Sequence, residues 1–253
     1  WQPEMATLYG KMVGEEARYR NKTVLLGPGV NLYRTPLNGR NFEYMGEDPY
    51  LASQMCVPYI QGLQSNGVAC CVKHYALNEQ ETFRDHVDVR VSDRALYELY
   101  LRPFHAAVTE GGAWSIMGSY NQYLDQHATH NARLINDILK KEWGFKGMLM
   151  SDWACTYSAD KAARNGLDLE MGSNDWFVRE KLLPLIQDGT ITEELINEKV
   201  RRIYGPCIEM GFFDRPQLCK DIPLFNPDAN RLALEEAEKG IILLKNADGV
   251  LPL

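Results

Sequence analysis

The sequence predicts an α/β chain with parallel strands, on three observations. Apolar strand-type runs alternate with helix-type segments along the chain. Several of those runs end abruptly in polar residues. The length of 253 residues suits a single (β/α) barrel or one to two smaller domains. Strands separated by helices imply parallel pairing through right-handed crossovers. A hydrophobic fraction of 45% supplies a large core, and 24% charged residues is the globular average.

The elements follow in order. Pro3 to Arg20, rich in Glu, Ala and Met, reads as a helix. Lys22 to Val30 reads as a strand ending in Gly27-Pro28-Gly29, and a polar loop runs on to Asp48-Pro49. Tyr50 to Asn66 is a helix closed by Gly67, and Val68 to Tyr75 a strand. Ser92 to Glu110 is a helix with Ser92 as N-cap and Gly111-Gly112 as its stop. Ser115 to Tyr120 is a strand, Asn131 to Trp143 a helix stopped at Gly144, and Gly147 to Asp152 and Gly166 to Met171 are strands. A later helix takes Thr192 as its cap, with Glu193 and Glu194 against the positive end of the helix dipole. Its Ile196, Val200 and Ile203 recur at i, i+4, i+7 and are expected in the core. About five strands result, fewer than the eight of a closed barrel. Gln217 to Asn230, rich in Pro, Asp and Asn, reads as a linker. Leu232 to Gly240 is helical, and Ile241 to Asn246 opens another apolar element before the sequence stops at Leu253.

Composition excludes several function classes. Net charge is −7 and no dense Lys/Arg tract occurs, so neither nucleic acid nor an anionic membrane is an expected partner. No run of about 18 apolar residues offers a membrane span. Trp1-Gln2-Pro3-Glu4 is not a signal peptide and reads as the interior of something longer, which leaves the compartment unspecified. The six cysteines form no CxxC pair. Cys70 and Cys71 are adjacent in a strand and point to opposite faces, so buried free thiols are expected rather than a disulfide framework.

The chemistry lies at the strand ends. Gly147-Met148-Leu149-Met150 runs into Ser151-Asp152-Trp153, which sets a carboxylate and an indole at the C-terminal mouth of a buried strand. A sugar-cleaving site needs that pair, an acid to attack or stabilise an oxocarbenium-like centre and a ring to stack on the sugar. The plainer alternative is a helix N-cap Asp. Lys73-His74 end the strand from Val68. Arg40 sits in the loop after Gly27-Pro28-Gly29 and offers a planar fork of donors. Met117 to Asn121 ends a further strand with the Tyr120 phenol. A barrel converges these ends on one rim, giving hydroxyl-binding donors around one carboxylate.

Other motifs carry less. Gly27-Pro28-Gly29 lacks the third glycine of a dinucleotide loop, since Leu32 holds that position, and Pro28 has no amide for a phosphate. His127 and His130 stand in a polar loop without acidic or cysteine partners of zinc spacing, so a structural role is expected. No Gly-x-Ser-x-Gly elbow points to a serine hydrolase. No metal and no cofactor is expected.

Taken together, the motifs resemble the barrel domain of glycoside hydrolase family 3, the β-glucosidase and β-xylosidase group. The matching pieces are Gly27 to Asn31 with Arg34 and Pro36, Gly39 to Glu43 with Glu47-Asp48-Pro49, Lys73-His74-Tyr75 with Asn78, Glu81 and Arg84, Met117 to Asn121, Ser151-Asp152-Trp153, and Gly166 to Met171.

The resemblance implies a (β/α)8 barrel, incomplete at its N-terminus, over 1–216. A linker over 217–230 and a linker helix with the start of an α/β sandwich domain over 231–253 would follow. It implies a retaining exo-glycosidase releasing β-linked glucose or xylose through a covalent glycosyl-enzyme. Asp152 would be the nucleophile and Trp153 the pocket mouth. Arg40, Lys73, His74 and Tyr120 would hold the glycone, with Met117 on its wall. Nearby Arg40 and Lys73 charges are expected to favour ionised Asp152. The acid/base would come from outside this stretch, supplied by the remaining segments of the same enzyme. Within the stretch, Glu170 is the best substitute, while Glu81 or Asp85 is expected to pair with Arg84. The resemblance favours a periplasmic or secreted protein. The alternative is a non-catalytic sugar-binding barrel that has kept its pocket and lost its acid.

Overall fold

The computed structural model of the chain describes residues 2–223 and 225–252. Trp1, Leu224 and Leu253 lie outside the described residues, and with them the two ends of the organisation read above.

Helix α1 (Pro3–Tyr19) starts on a proline and carries Glu4 in its first turn, where a missing N–H costs nothing and a negative charge meets the positive end of the helix. It packs on α2 (Pro49–Gln64), whose N-cap Asp48 accepts from the Tyr50 and Leu51 amides at 2.8 and 3.1 Å. Glycines let the two helix backbones touch. A Cβ on Gly10 would stand 2.2 Å from the Tyr59 carbonyl oxygen, and one on Gly62 2.1 Å from that of Thr7.

The strands are β1 (Val24–Leu25), β2 (Ala69–Tyr75), β3 (Asp88–Val89), β4 (Ser115–Gly118), β5 (Gln122–Tyr123), β6 (Gln126–His127), β7 (Met148–Trp153) and β8 (Leu169–Met171). Five of them form one parallel sheet in the order β1-β2-β4-β7-β8, the curled wall of an incomplete barrel. The other three, β3, β5 and β6, form a small sheet from the loops that follow β2 and β4.

Alternation along the wall separates two apolar layers. Cys70, Val72, Ile116 and Leu149 belong to the large core shared with the helices. Cys71, Met117, Met148 and Met150 form a second cluster on the opposite, inner face. Cys70 and Cys71 thus do part to opposite sides, and all six cysteines are free thiols.

The helix expected over 92–110 is divided. Ser92 caps it by accepting from the Ala95 amide at 3.2 Å. A short α3 (Asp93–Ala95) then passes into a π-helical stretch, Leu96–Tyr100, before α4 (Arg102–Thr109), where Pro103 offers no N–H. The helix after β6, Arg133–Glu142, is also π-helical and is capped by the Asn131 side chain, which accepts from the Leu134 amide at 3.0 Å. Helices α5 (Ala159–Arg164), α6 (Arg179–Gln187), α7 (Glu193–Glu209) and α8 (Pro227–Gly240) complete the chain.

Three expectations change here. Val200 is 44% exposed and is not core, whereas Lys199 is only 5% exposed. The inward stripe of α7 runs Ile196, Lys199, Ile203. The lysine stem packs while its ammonium donates to the Leu167 carbonyl at 2.7 Å, an exit that an apolar-period count does not foresee. Helix α8 opens at Pro227, earlier than Leu232, because Asn226 caps it through the Asp228 amide. Ile241 to Asn246 adopts no regular element, with Leu244 92% exposed. Among the described residues, no helix is long and apolar enough to cross a membrane.

Candidate active site

Every strand of the wall delivers its C-terminal end to the same rim, so parallel topology alone gathers Lys73, His74, Tyr120, Asp152 and Trp153. Strict alternation would send Lys73 and His74 to opposite faces. The register between β2 and β4 shifts between Val72 and Tyr75, and this irregularity frees the strand end from that rule. Arg40 reaches the same place from the loop after β1, just before the 3₁₀ turn Asn41–Glu43.

His74 is the hub. Its backbone is clamped by Asn31, whose Oδ1 accepts from the His74 amide at 2.6 Å and whose Nδ2 donates to the His74 carbonyl at 3.1 Å. Its ring meets Tyr44 Oη at Nδ1 (3.1 Å), and at Nε2 both Arg40 Nη2 (2.9 Å) and Asp152 Oδ2 (3.5 Å). Glu43 takes Arg40 Nε at 2.5 Å on one oxygen and Lys73 Nζ at 3.1 Å on the other. Glu81 lies 4.0 Å from Arg40 and accepts from Arg84 at 2.7 Å, the pairing expected of it. The Arg84 guanidinium sits over the Tyr120 ring, 3.9 Å from its centroid.

Tyr120 donates to the Trp153 carbonyl at 3.0 Å, which ties β4 to the end of β7. The Trp153 indole is 42% exposed and stands at the mouth. Gly172 makes room for it at a positive φ, since a Cβ there would lie 2.7 Å from Trp153. Met117 lies buried beneath, on the inner face.

The Arg40 and Lys73 charges favour the ionised Asp152 carboxyl, as expected, and Tyr120 and Arg84 act the same way. Burial raises it by more, so its pKa lies above the ordinary value. Glu43 goes the other way. Burial pushes it up, but its bonds to Arg40 and Lys73 outweigh that and hold it below the usual carboxylate range. Burial, with the Arg40, Lys73 and Arg84 charges, drives His74 down to about 2, so the ring is neutral.

Tyr44 escaped the sequence reading, and Glu43 and Arg84 entered it only within matching motifs, Arg84 as a partner for Glu81 or Asp85, without a role at this site. The first two are neighbours of Arg40 in the chain, and an acid three residues from an arginine was the available signal. His127 stacks on Tyr157 with centroids 3.6 Å apart, and His130 Nε2 accepts from the Tyr157 amide at 3.0 Å, which gives both rings a packing role. Glu170 is spent on its own loop, accepting from Ser173 Oγ and from the Asp175, Trp176 and Phe177 amides.

Residues 1–205 match the model of the glycosyl hydrolase family 3 N-terminal domain. The chain belongs to glycosyl hydrolase family 3. A β-glucosidase of Bacteroides ovatus, BoGH3A, is 52% identical over 98% of the chain, and β-glucosidase B of Emericella nidulans is 40% identical over all of it. An exo-α-(1→6)-L-arabinopyranosidase of Bifidobacterium longum is 38% identical. β-Glucosidase 3B of Thermotoga neapolitana, solved in complex with α-D-glucose, superposes with a TM-score of 0.93 at 36% identity over the whole chain. The family 3 chain spans about a third of these proteins: 35% of BoGH3A, 30% of the Emericella enzyme and 36% of the Thermotoga chain.

Proposed function

We propose that this chain is the nucleophile-bearing barrel of a retaining exo-β-glycosidase acting on glucosides or xylosides. The observation that carries the reading is Asp152 itself. It is a nearly buried carboxylate at a strand mouth, 3.5 Å from the neutral His74 ring and followed directly by the exposed Trp153. Asp152 attacks the anomeric carbon to form a glycosyl-enzyme, and water later releases the sugar. Arg40, Lys73 and His74 bind glycone hydroxyls, Tyr120 orients the Asp152–Trp153 corner, Met117 forms the wall and Trp153 stacks on the sugar.

The leaving group needs an acid, and Glu170, the candidate within this stretch, is engaged as an acceptor by its own loop. That acid comes from a further segment of the same enzyme, following a linker over 217–230 and a domain that begins within 231–253. The relatives named for glucose and for arabinopyranose support a pyranoside glycone.

The test is a 2-deoxy-2-fluoro glycoside with a good leaving group, applied to the full gene product. Peptide mapping is expected to find the sugar on Asp152, and Asp152→Asn to lose turnover. Label on another residue, or a fully active Asp152→Asn protein, overturns the assignment. Sugar bound without turnover supports the non-catalytic barrel instead.

A further inference from the structure

Two contacts to one imidazole decide where its proton sits. A guanidinium can only donate. Arg40 Nη2 lies 2.9 Å from His74 Nε2, so that nitrogen must present a lone pair. A neutral imidazole with a bare Nε2 carries its proton on Nδ1. The group within reach of Nδ1 is Tyr44 Oη, at 3.1 Å, which accepts it.

Both rings are held for this task. His74 is 1% exposed and Tyr44 is 6% exposed. Asn31 grips both backbone polar groups of His74, and the Tyr44 backbone carbonyl accepts from Tyr33 Oη at 2.7 Å. The rings meet edge-on, with an interplanar angle of 78°.

We propose that Tyr44 is a positioning residue that acts with the Arg40 donor: Arg40 requires a lone pair on Nε2, Tyr44 accepts the Nδ1 proton, and together they hold His74 as its Nδ1–H tautomer and keep a proton off the nitrogen facing Asp152. The consequence falls on Asp152. Its Oδ2 lies 3.5 Å from His74 Nε2. In the opposite tautomer, Nε2–H would donate to that oxygen, stabilise the ionised carboxylate and blunt it as a nucleophile. In the fixed tautomer, the oxygen facing the histidine keeps its lone pairs, and Nε2 stands ready to accept from a sugar hydroxyl when Arg40 shifts its donor. The statement about tautomer depends on geometry alone. The statement about rate rests on the glycosidase reading above.

The test uses the full gene product labelled with nitrogen-15 histidine, with His74→Gln to assign the His74 ring. In wild type, His74 is expected to show a protonated Nδ1 and a bare Nε2 through neutral pH. In Tyr44→Phe, the acceptor is gone, and the Nε2–H form facing Asp152 is expected to gain population. With an aryl β-glycoside, kcat is expected to fall by up to about tenfold, the worth of one neutral hydrogen bond, with KM changing less. A plain packing defect would leave the tautomer ratio unmoved. Wild-type His74 found as Nε2–H or as a cation overturns the proposal, as does a Tyr44→Phe spectrum identical to wild type. If the phenylalanine variant does not fold, the wild-type spectrum decides. If the wild-type protein hydrolyses no glycoside, the glycosidase reading fails while the spectrum still decides the tautomer.

Discussion

Lys73 Nζ stands 3.1 Å from Glu43 Oε2, and the other oxygen of the same carboxylate holds Arg40 Nε at 2.5 Å. One acid from the loop after β1 thus aims two cations, one on its own loop and one on the end of β2, at the space beside Asp152. All three side chains are largely sheltered from solvent, so the bonds act in a medium of reduced dielectric.

Glu43→Gln should therefore harm both function and fold. It leaves two cations without their anchor, each bond to a charged group being worth about 1.5–3 kcal/mol. kcat/KM for an aryl β-glycoside should fall by roughly 10- to 150-fold, and Tm should fall with it. A variant with wild-type kcat/KM would remove Glu43 from the positioning of the site.

Lys73→Ala should weaken glycone binding in both ground and transition states. The informative measurement is kcat/KM on a series of monodeoxy glycosides. If Lys73 touches a hydroxyl, one deoxy substrate should lose no further rate in the variant. Equal losses on every deoxy substrate and the parent would mean that Lys73 meets no hydroxyl directly.

Asp152→Asn should stabilise the fold while abolishing turnover. The Asp152 carboxyl is raised above its ordinary 3.8, mainly by burial. A raised acid makes the folded state bind protons more tightly than the unfolded chain. Its ionisation therefore costs stability as pH rises from the ordinary value through the raised one, and the full cost remains at neutral pH. The variant escapes that cost. Its Tm should exceed wild type at pH 7, by about 2–4 °C for each kcal/mol recovered, and the difference should vanish near pH 3. A lower Tm at pH 7 would show that the carboxylate is a net stabiliser.

Gly10→Ala and Gly62→Ala probe the α1–α2 contact. In an open helix this change stabilises by up to about 1 kcal/mol. Here the added methyl meets a backbone carbonyl at 2.2 or 2.1 Å, so the helices must part. Overpacking of this kind costs roughly 1–3 kcal/mol. Urea melts of each variant give the sign directly, and stabilisation by either would mean the helices have slack.

The strand ends were readable because each combines a short apolar run with a polar finish, and parallel crossovers leave those finishes on one rim. Ser92 and Thr192 were readable as caps because capping is local chemistry. The contacts that Glu43, Tyr44 and Arg84 make at the site were not, since a loop sequence does not say which way it folds back over a strand end. Val200 and Lys199 exchanged places because a periodic count treats lysine as solvent-facing, whereas the Leu167 carbonyl gives this ammonium a partner inside.

By itself, the sequence determined the alternation of strand and helix, the partition of Cys70 from Cys71, and the residues that end each strand. These follow from period, capping and the short reach of neighbouring residues. Only the tertiary structure decided the charge balance at Asp152 and the tautomer at His74. Both depend on sums over groups far apart in the chain. Asp152 feels burial against four partners drawn from the Arg40 loop, β2, the Arg84 loop and the end of β4. His74 takes its proton position from an arginine and a tyrosine that flank it in space but precede it by a whole helix in sequence. No local pattern carries the sign of such a sum.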